Sequence, residues 1–438
     1  MKPLQMPMFS PETEWIPPTH LPDLKDHKEI AIDLETRDPG LKSSGSGSVN
    51  GNGEVVGIAV AVEGWSGYFP IAHEGGGNMD RALVLDWFEE VLHTDATKIF
   101  HNAMYDVSWI RSMGFYIRGG VIDTLIAASL IDENRWGYAL NALGKQYVGV
   151  GKNEKILNDA AKSWGIDPKA DMWRLPAPLV GEYAEQDAVL TLRLWHALQR
   201  EISSQDLWDV FNLETNLFPC LIDMKFKGVR VDAEKANLLK QELIKEEKNI
   251  YRGIRKLIGF DVEIWAAASI AKAFDEVKLP YDRTEKGAPS FTKNFLATHP
   301  HELPKAIANA REINKAHTTF IDTIIKHEHN GRIHADINQI RSDDGGTVTG
   351  RFSYSNPNLQ QIPARNKDLG PKIRALFIPE KNHTWGCFDY SQQEPRIVVH
   401  FASLLKLEGS QTIVDQYNAG EADFHQMIAD MAGIERKQ

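Results

Sequence analysis

Cysteine is almost missing from this chain. Only Cys220 and Cys387 occur in 438 residues, far apart and without the spacing of a metal site. That argues against a disulfide framework and fits a reducing compartment. Long apolar runs are missing as well: no uninterrupted stretch approaches the roughly 20 residues that span a bilayer. Residues 1–15 carry no apolar core of a secretory signal. No membrane partner is expected. An excess of positive charge is absent too, since 49 Lys and Arg stand against 60 Asp and Glu, a net charge of -11. That balance argues against a protein that coats nucleic acid by bulk electrostatics. It leaves local basic tracks open, and a cluster of metal-binding carboxylates would itself push the count negative. Internal repeats are not seen.

What is present is an ordinary globular composition, 42% hydrophobic and 25% charged, in a chain long enough for two to three domains with cores of their own. Residues 29–35, Glu-Ile-Ala-Ile-Asp-Leu-Glu, read as a buried strand running into a polar end. A Gly/Ser/Asn-rich stretch at 43–53 reads as a flexible loop. A hairpin is predicted over 55–62 and 67–71, helices over 80–93, 103–113, 123–132 and 180–199, and short strands near 97–100 and 120–122. Strands first, then alternating helices and strands, predict a mixed sheet covered by helices. From about Gln205 the pattern changes to long amphipathic helices at 206–227, 233–258, 267–278 and 303–327, with a polar tip at 280–293. Sheet-like patterning returns at 331–339 and 383–389, and a helix follows at 395–406. The expected domains are 1–204, 205–329 and 330–438. Gly149-Val-Gly151-Lys152 is rejected as a phosphate loop, because its first glycine is misplaced and Asn153 replaces Ser/Thr.

Two sets of residues carry chemistry. Asp33 and Glu35 sit two apart on a predicted strand, so both side chains leave one face. Asp106 opens a predicted helix, and Tyr183 and Asp187 are four apart on another, hence neighbours on one side. Brought together, four carboxylates repel one another unless cations fill the nest. Hard oxygen ligands favour Mg²⁺ or Mn²⁺, and two such ions ~4 Å apart stabilise both oxygens of an in-line displacement at phosphorus. Singly, each piece reads more simply as a solvated strand edge, a helix cap or half-buried packing. Far downstream, Asp389 ends the apolar run Trp385–Phe388 at a predicted strand tip. There the carboxylate and the Tyr390 carbonyl make a candidate metal site. Pro395 suits the first turn of the helix that follows, which has no N–H to lose.

Order and context turn these pieces into a resemblance. Asp-x-Glu, then Asn102-Ala-x-x-Asp106, then Tyr183-x-x-x-Asp187, with Asp123-Thr124 between, resemble the DEDDy 3′–5′ exonucleases over residues 29–196. The resemblance implies a ribonuclease H-like α/β fold. Asp33, Glu35, Asp106 and Asp187 would bind two metals, and Tyr183 would orient water. Thr349-Gly-Arg-Phe-Ser353, Pro357-Asn-Leu-Gln-Gln-Ile-Pro363 and Phe388-Asp-Tyr-Ser-Gln-Gln-Glu-Pro-Arg396 resemble the opening half of a family A (DNA polymerase I-like) catalytic core of phage type.

That resemblance implies a mainly helical thumb and an incomplete α+β palm. Asp389 and the Tyr390 carbonyl would bind metal, and Glu394 would close the floor under the sugar. Arg351 would reach the minor groove at the primer terminus, Asn358, Gln360 and Gln361 the nearby duplex, and Arg365, Lys367, Lys372 and Arg374 its phosphates. Lys248 and Arg252, with Arg255 and Lys256, would form the thumb's grip; Arg311, Lys315 and Thr319 have the same reading beside that of a solvated face. Asp423-Phe424-His425 matches a further family element and is assigned no chemistry.

Gln393 and Pro395 stand where the family usually has apolar residues, Tyr354 where it has Ser and Gln361 where it has Asn. Arg436 would open the nucleotide-binding helix, whose Lys would fall past Gln438.

The expectation is a DNA-directed DNA polymerase portion with a proofreading exonuclease. It would act on primer-template DNA and single-stranded 3′ ends. It would use dNTPs only when a second polypeptide supplies fingers and the rest of the palm, unless the chain is the product of a truncated gene. No 5′-nuclease domain is expected ahead of it. The expected location is cytoplasmic, nucleoid-associated, and the host cytoplasm if phage-encoded. Two rivals are a stand-alone exonuclease of the ribonuclease D type, against which residues 340–396 argue, and a non-catalytic primer-template binder.

Overall fold

The computed structural model describes residues 11–343, 345–364 and 366–435. Five strands, β1 (Glu29–Arg37), β2 (Glu54–Val62), β3 (Trp65–Pro70), β4 (Thr97–Phe100) and β5 (Val121–Asp123), form one sheet in the order β3-β2-β1-β4-β5. β1, β2 and β3 pair antiparallel, whereas β1–β4 and β4–β5 are parallel. The β2–β3 turn is the two-residue Glu63-Gly64, with Gly64 at φ 82° supplying the left-handed backbone such a tight hairpin needs. The parallel pairs need crossovers, and helices Ala103–Ser112 and Arg81–Leu92 lie in them.

Alternation along β1 decides what each face does. Ile30, Ile32 and Leu34 pack with Ile58, Val60, Phe88 and Ile110 in one buried cluster. Ala31 joins Ala59, Ala61, Leu194 and Leu198 in a second cluster on the other face, so small strand residues let helix Pro178–Ser204 lie close. Asp33 and Glu35 share the parity of Ala31 and therefore point toward that helix. Glu35 pairs with Gly57 across the strands, where a side chain would put its Cβ 1.9 Å from the Tyr68 hydroxyl. A bulge between Glu35 and Thr36 ends the regular register.

Beyond Ser204 the chain is mainly helical: Trp208–Lys227, Ala233–Ile258, Ala267–Glu276, Glu302–Lys315 and Asp322–His327. Helix Ala233–Ile258 buries Ala236, Leu239 and Leu243 with Ile313, Ile321 and Ile333. Its far end joins Phe274, Leu296 and Ile307 in a separate cluster. The described chain divides between Ile378 and Pro379 into two compact units. The second contains helices Gln393–Leu404, Ser410–Asn418 and Phe424–Ala432.

Three expectations are corrected. The Gly/Ser/Asn stretch is not an open loop: it holds two short helices, Leu41–Ser44 and Gly47–Asn50, with Ser46, Gly47 and Ser48 buried. Small side chains there allow close packing, with Trp109 against Gly47. Residues 383–389 form no strand among the described residues. A strand exists only against a hydrogen-bonded neighbour: Trp385 and Phe388 are strand-favouring residues, but Phe388 is left 96% exposed and the segment pairs with no strand among the described residues. The single helix expected at 303–327 is interrupted by a π-helical turn, Ala316–Ile321. A further helix, Lys155–Trp164, lies outside the expected elements and buries Leu157, Ala160 and Ala161 on one face of an amphipathic pattern.

Candidate active sites

The carboxylates of the first set do converge. Ligand atoms of Asp33, Glu35 and Asp187 all lie within 4.8 Å of one another. Asp33 and Glu35 come from β1, and Asp187 from helix Pro178–Ser204, whose Pro178 occupies the helix start where its missing N–H costs nothing. Asp106 stands outside that group of three but is fastened to it. It is buried, and its Oδ1 accepts the Leu34 backbone N–H at 3.0 Å, on the strand residue between Asp33 and Glu35. Tyr183 is one turn before Asp187 and also buried.

The entry of helix Ala103–Ser112 is set by Asp123. Its carboxylate accepts the Asn102 N–H at 2.9 Å, the Ala103 N–H at 2.8 Å and the Leu125 N–H at 2.8 Å. One side chain thus ties two helix starts together, and Asn102 enters the first of them in the left-handed region, φ 70°.

Burial works against charge throughout the cluster. Asp33 is pushed up to about 7, by burial and then by the neighbouring Asp187. Glu35 and Asp106 are held well above the ordinary carboxylate range, by burial first and Asp33 second. Asp187 is raised by burial, with Lys152 opposing. Asp187 Oδ1 is buried and makes no hydrogen bond. Mutually repelling hard oxygens with a lone pair left over fit a hard divalent cation.

Lys152, whose Nζ lies 2.5 Å from Asp187 Oδ2, is a site residue that the sequence does not reveal. It sits in the glycine motif rejected as a phosphate loop, and the only signal was a turn tight enough to approach another backbone.

The downstream residues are placed differently. Asp389 and Tyr390 lie in an exposed segment, and among the described residues Asp389 joins no group of three candidate metal ligands. Glu394 and Pro395 fall in the first turn of Gln393–Leu404, as Pro395 requires. Arg351 is exposed in the first unit. The Asn358 side chain accepts the Gln360 N–H at 3.0 Å and caps the turn Leu359–Gln361, while Gln360 Nε2 donates to the Phe352 carbonyl at 2.9 Å. Gln361, Lys248 and Arg252 are exposed, the last two on one helix. Arg311 turns inward, donating to the Ile264 and Phe291 carbonyls at 2.6 and 3.0 Å. Arg365 and Arg436 lie outside the described residues.

Comparison with known proteins meets both sites. The family model for 3′–5′ exonuclease matches residues 19–203, and that for DNA polymerase family A matches residues 233–437. A DNA-directed DNA polymerase of Pseudomonas phage M6 is 37% identical, the alignment covering 99% of this chain and 69% of the relative. The DNA polymerase DpoZ of Salmonella phage PMBT28 is 31% identical, over 95% of this chain and 67% of the relative. In fold, the chain is similar to the POL domain of Pol1 from M. smegmatis, solved in complex with DNA primer-template and dNTP. The TM-score is 0.70 at 20% identity, over 94% of this chain and 65% of that one. The chain thus spans about two thirds of these proteins' lengths. It belongs to DNA polymerase family A, in the company of phage polymerases, and carries the family's 3′–5′ exonuclease domain.

Proposed function

We propose that residues 1–204 remove mispaired nucleotides from single-stranded 3′ ends as monophosphates, beside polymerase elements in a thumb, 205–329, and a palm portion, 330–438. The convergence of Asp33, Glu35 and Asp187 within 4.8 Å carries this reading. These three and Asp106 would hold two divalent cations, Mg²⁺ or Mn²⁺. When bound, such ions supply Lewis-acid stabilisation of the attacking and leaving oxygens. The protein's part is placement. β1 fixes two carboxylates on one face, the Leu34 N–H orients Asp106, and Tyr183 beside Asp187 would hold the attacking water by its hydroxyl. Glu35, Asp106, Tyr183 and Asp187 are buried and Asp33 is half-buried, which limits the access of competing bulk water.

For polymerisation, Asp389 and the Tyr390 carbonyl would bind metal and Glu394 would line the sugar. Arg351, Asn358, Gln360, Gln361 and Arg365 would contact the primer terminus and its duplex, Lys248 and Arg252 the phosphates and Arg436 a triphosphate. Primer-template DNA is the substrate class, and the phage relatives favour action in the host cytoplasm.

The test is a 5′-labelled primer-template with one 3′ mismatch, incubated with Mg²⁺. Primer shortening is expected, and D33A/E35A should lower its rate at least a hundredfold while leaving DNA affinity within about twofold. Digestion that survives the double substitution would reject the site.

A further inference from the structure

The glycine motif that resembles no working phosphate loop has a different use. Its segment is fastened at three points. Lys152 N donates to Asn141 Oδ1 at 3.0 Å, Asn153 N donates to Gln186 Oε1 at 2.6 Å, and Gln186 Nε2 donates to the Gly151 carbonyl at 3.4 Å. Gly149 turns with φ 79°, and a Cβ on Gly151 would come within 2.6 Å of Asn141 Oδ1. The backbone is therefore held in one path beside helix Pro178–Ser204.

That path aims the Lys152 side chain, 13% exposed, into the carboxylate centre. Its Nζ lies 2.5 Å from Asp187 Oδ2 and 3.3 Å from the Tyr183 hydroxyl, and 5.1 Å from the centre of the Tyr183 ring. Asp187 Oδ1, on the same carboxylate, is buried without a hydrogen bond. One ligand thus has an oxygen in an ammonium's grip and the other free to bind.

We propose that Lys152 is a positioning residue that competes with a divalent cation for Asp187. Its ammonium balances part of the buried negative charge, holds Asp187 and Tyr183 in place, and sets the cation concentration at which the site fills. Two cations on one carboxylate repel at this range, so filling of the site drives the ammonium off Oδ2. The inference rests on the reading of Asp33, Glu35, Asp106 and Asp187 as cation ligands.

The experiment is a Mn²⁺ titration followed by the electron paramagnetic resonance signal of free Mn²⁺. Wild type and K152Q are compared, with D33A/E35A as the baseline for sites elsewhere. K152Q should bind the first Mn²⁺ about tenfold more tightly than wild type, the worth of one charge-assisted hydrogen bond. In EDTA it should also melt below wild type. Equal or weaker Mn²⁺ binding by K152Q overturns the proposal. If that variant does not fold, wild type decides alone. Acetylation of Lys152 by an N-hydroxysuccinimide ester, read by mass spectrometry, should speed up severalfold when Mn²⁺ is added, relative to the buried Lys98. No acceleration overturns the proposal. Failure of the underlying site reading looks different, because wild type and D33A/E35A would then bind Mn²⁺ alike.

Discussion

At the residue scale, burial sets both the chemistry and the acid sensitivity of the exonuclease domain. The Asp33 carboxyl reaches about 7 because desolvation penalises its charge. The same penalty acts with opposite sign on histidine. His73 Nδ1 donates to the Leu175 carbonyl at 3.0 Å, so its Nε2 accepts the Tyr68 hydroxyl at 2.6 Å. Burial lowers this ring from 6.5 to about 4. The unfolded chain therefore takes up the proton first as pH falls. Stability from His73 is fully present above pH 6.5 and is lost between 6.5 and 4. His73→Gln keeps a donor and an acceptor but does not titrate. Between pH 7 and pH 5 its unfolding free energy in urea should fall by about 2 kcal/mol less than that of wild type. Equal pH slopes would show that the folded site tolerates the imidazolium.

At the element scale, the site depends on how two helix starts meet two parallel strands. Asp123 ends β5 and accepts three backbone N–H groups, from Asn102, Ala103 and Leu125. Those at Asn102 and Ala103 set the direction of the helix that carries Asp106. Asp123→Ala should cost about 3 kcal/mol in urea unfolding, since buried donors lose a charged acceptor, and should slow primer shortening. Asp123→Asn, which keeps one acceptor oxygen, should cost about 1 kcal/mol. A D123A protein as stable as wild type would mean that water replaces the carboxylate. Much of this level was legible beforehand: the Asp33/Glu35 pair follows from period 2 on a strand, and the Tyr183/Asp187 pair from the helical turn. Lys152 was not, because an irregular loop has no period from which its direction can be read.

At the scale of the whole molecule, the two units differ in how much apolar surface they cover. In the second unit Val398, Phe401 and Leu405 are 61%, 59% and 72% exposed on or just after helix Gln393–Leu404. Contiguous exposed apolar side chains drive association. The triple variant V398S/F401S/L405S should elute nearer its monomer mass at 50 μM than wild type does, with the melting temperature of the sheet-containing unit unchanged. Equal elution profiles would show that the patch does not mediate self-association. The absence of a strand at 383–389 belongs here too. Apolar content at Trp385–Phe388 says that burial is sought, but not that a partner strand stands beside it.

The sequence by itself determined the periods, and with them the boundaries of helices such as Ala233–Ile258, the shared face of Asp33 and Glu35, and the motifs that resemble the family. Those are local properties, decided by backbone geometry within a few residues. Only the tertiary structure decided which carboxylates meet within 4.8 Å, that Asp106 is tied to Leu34 from 72 residues away, and that Lys152 lies against Asp187. Contacts across such distances depend on the packing of Ala31, Ala59 and Ala61 under one helix and on the course of a glycine turn, and neither leaves a period in the chain.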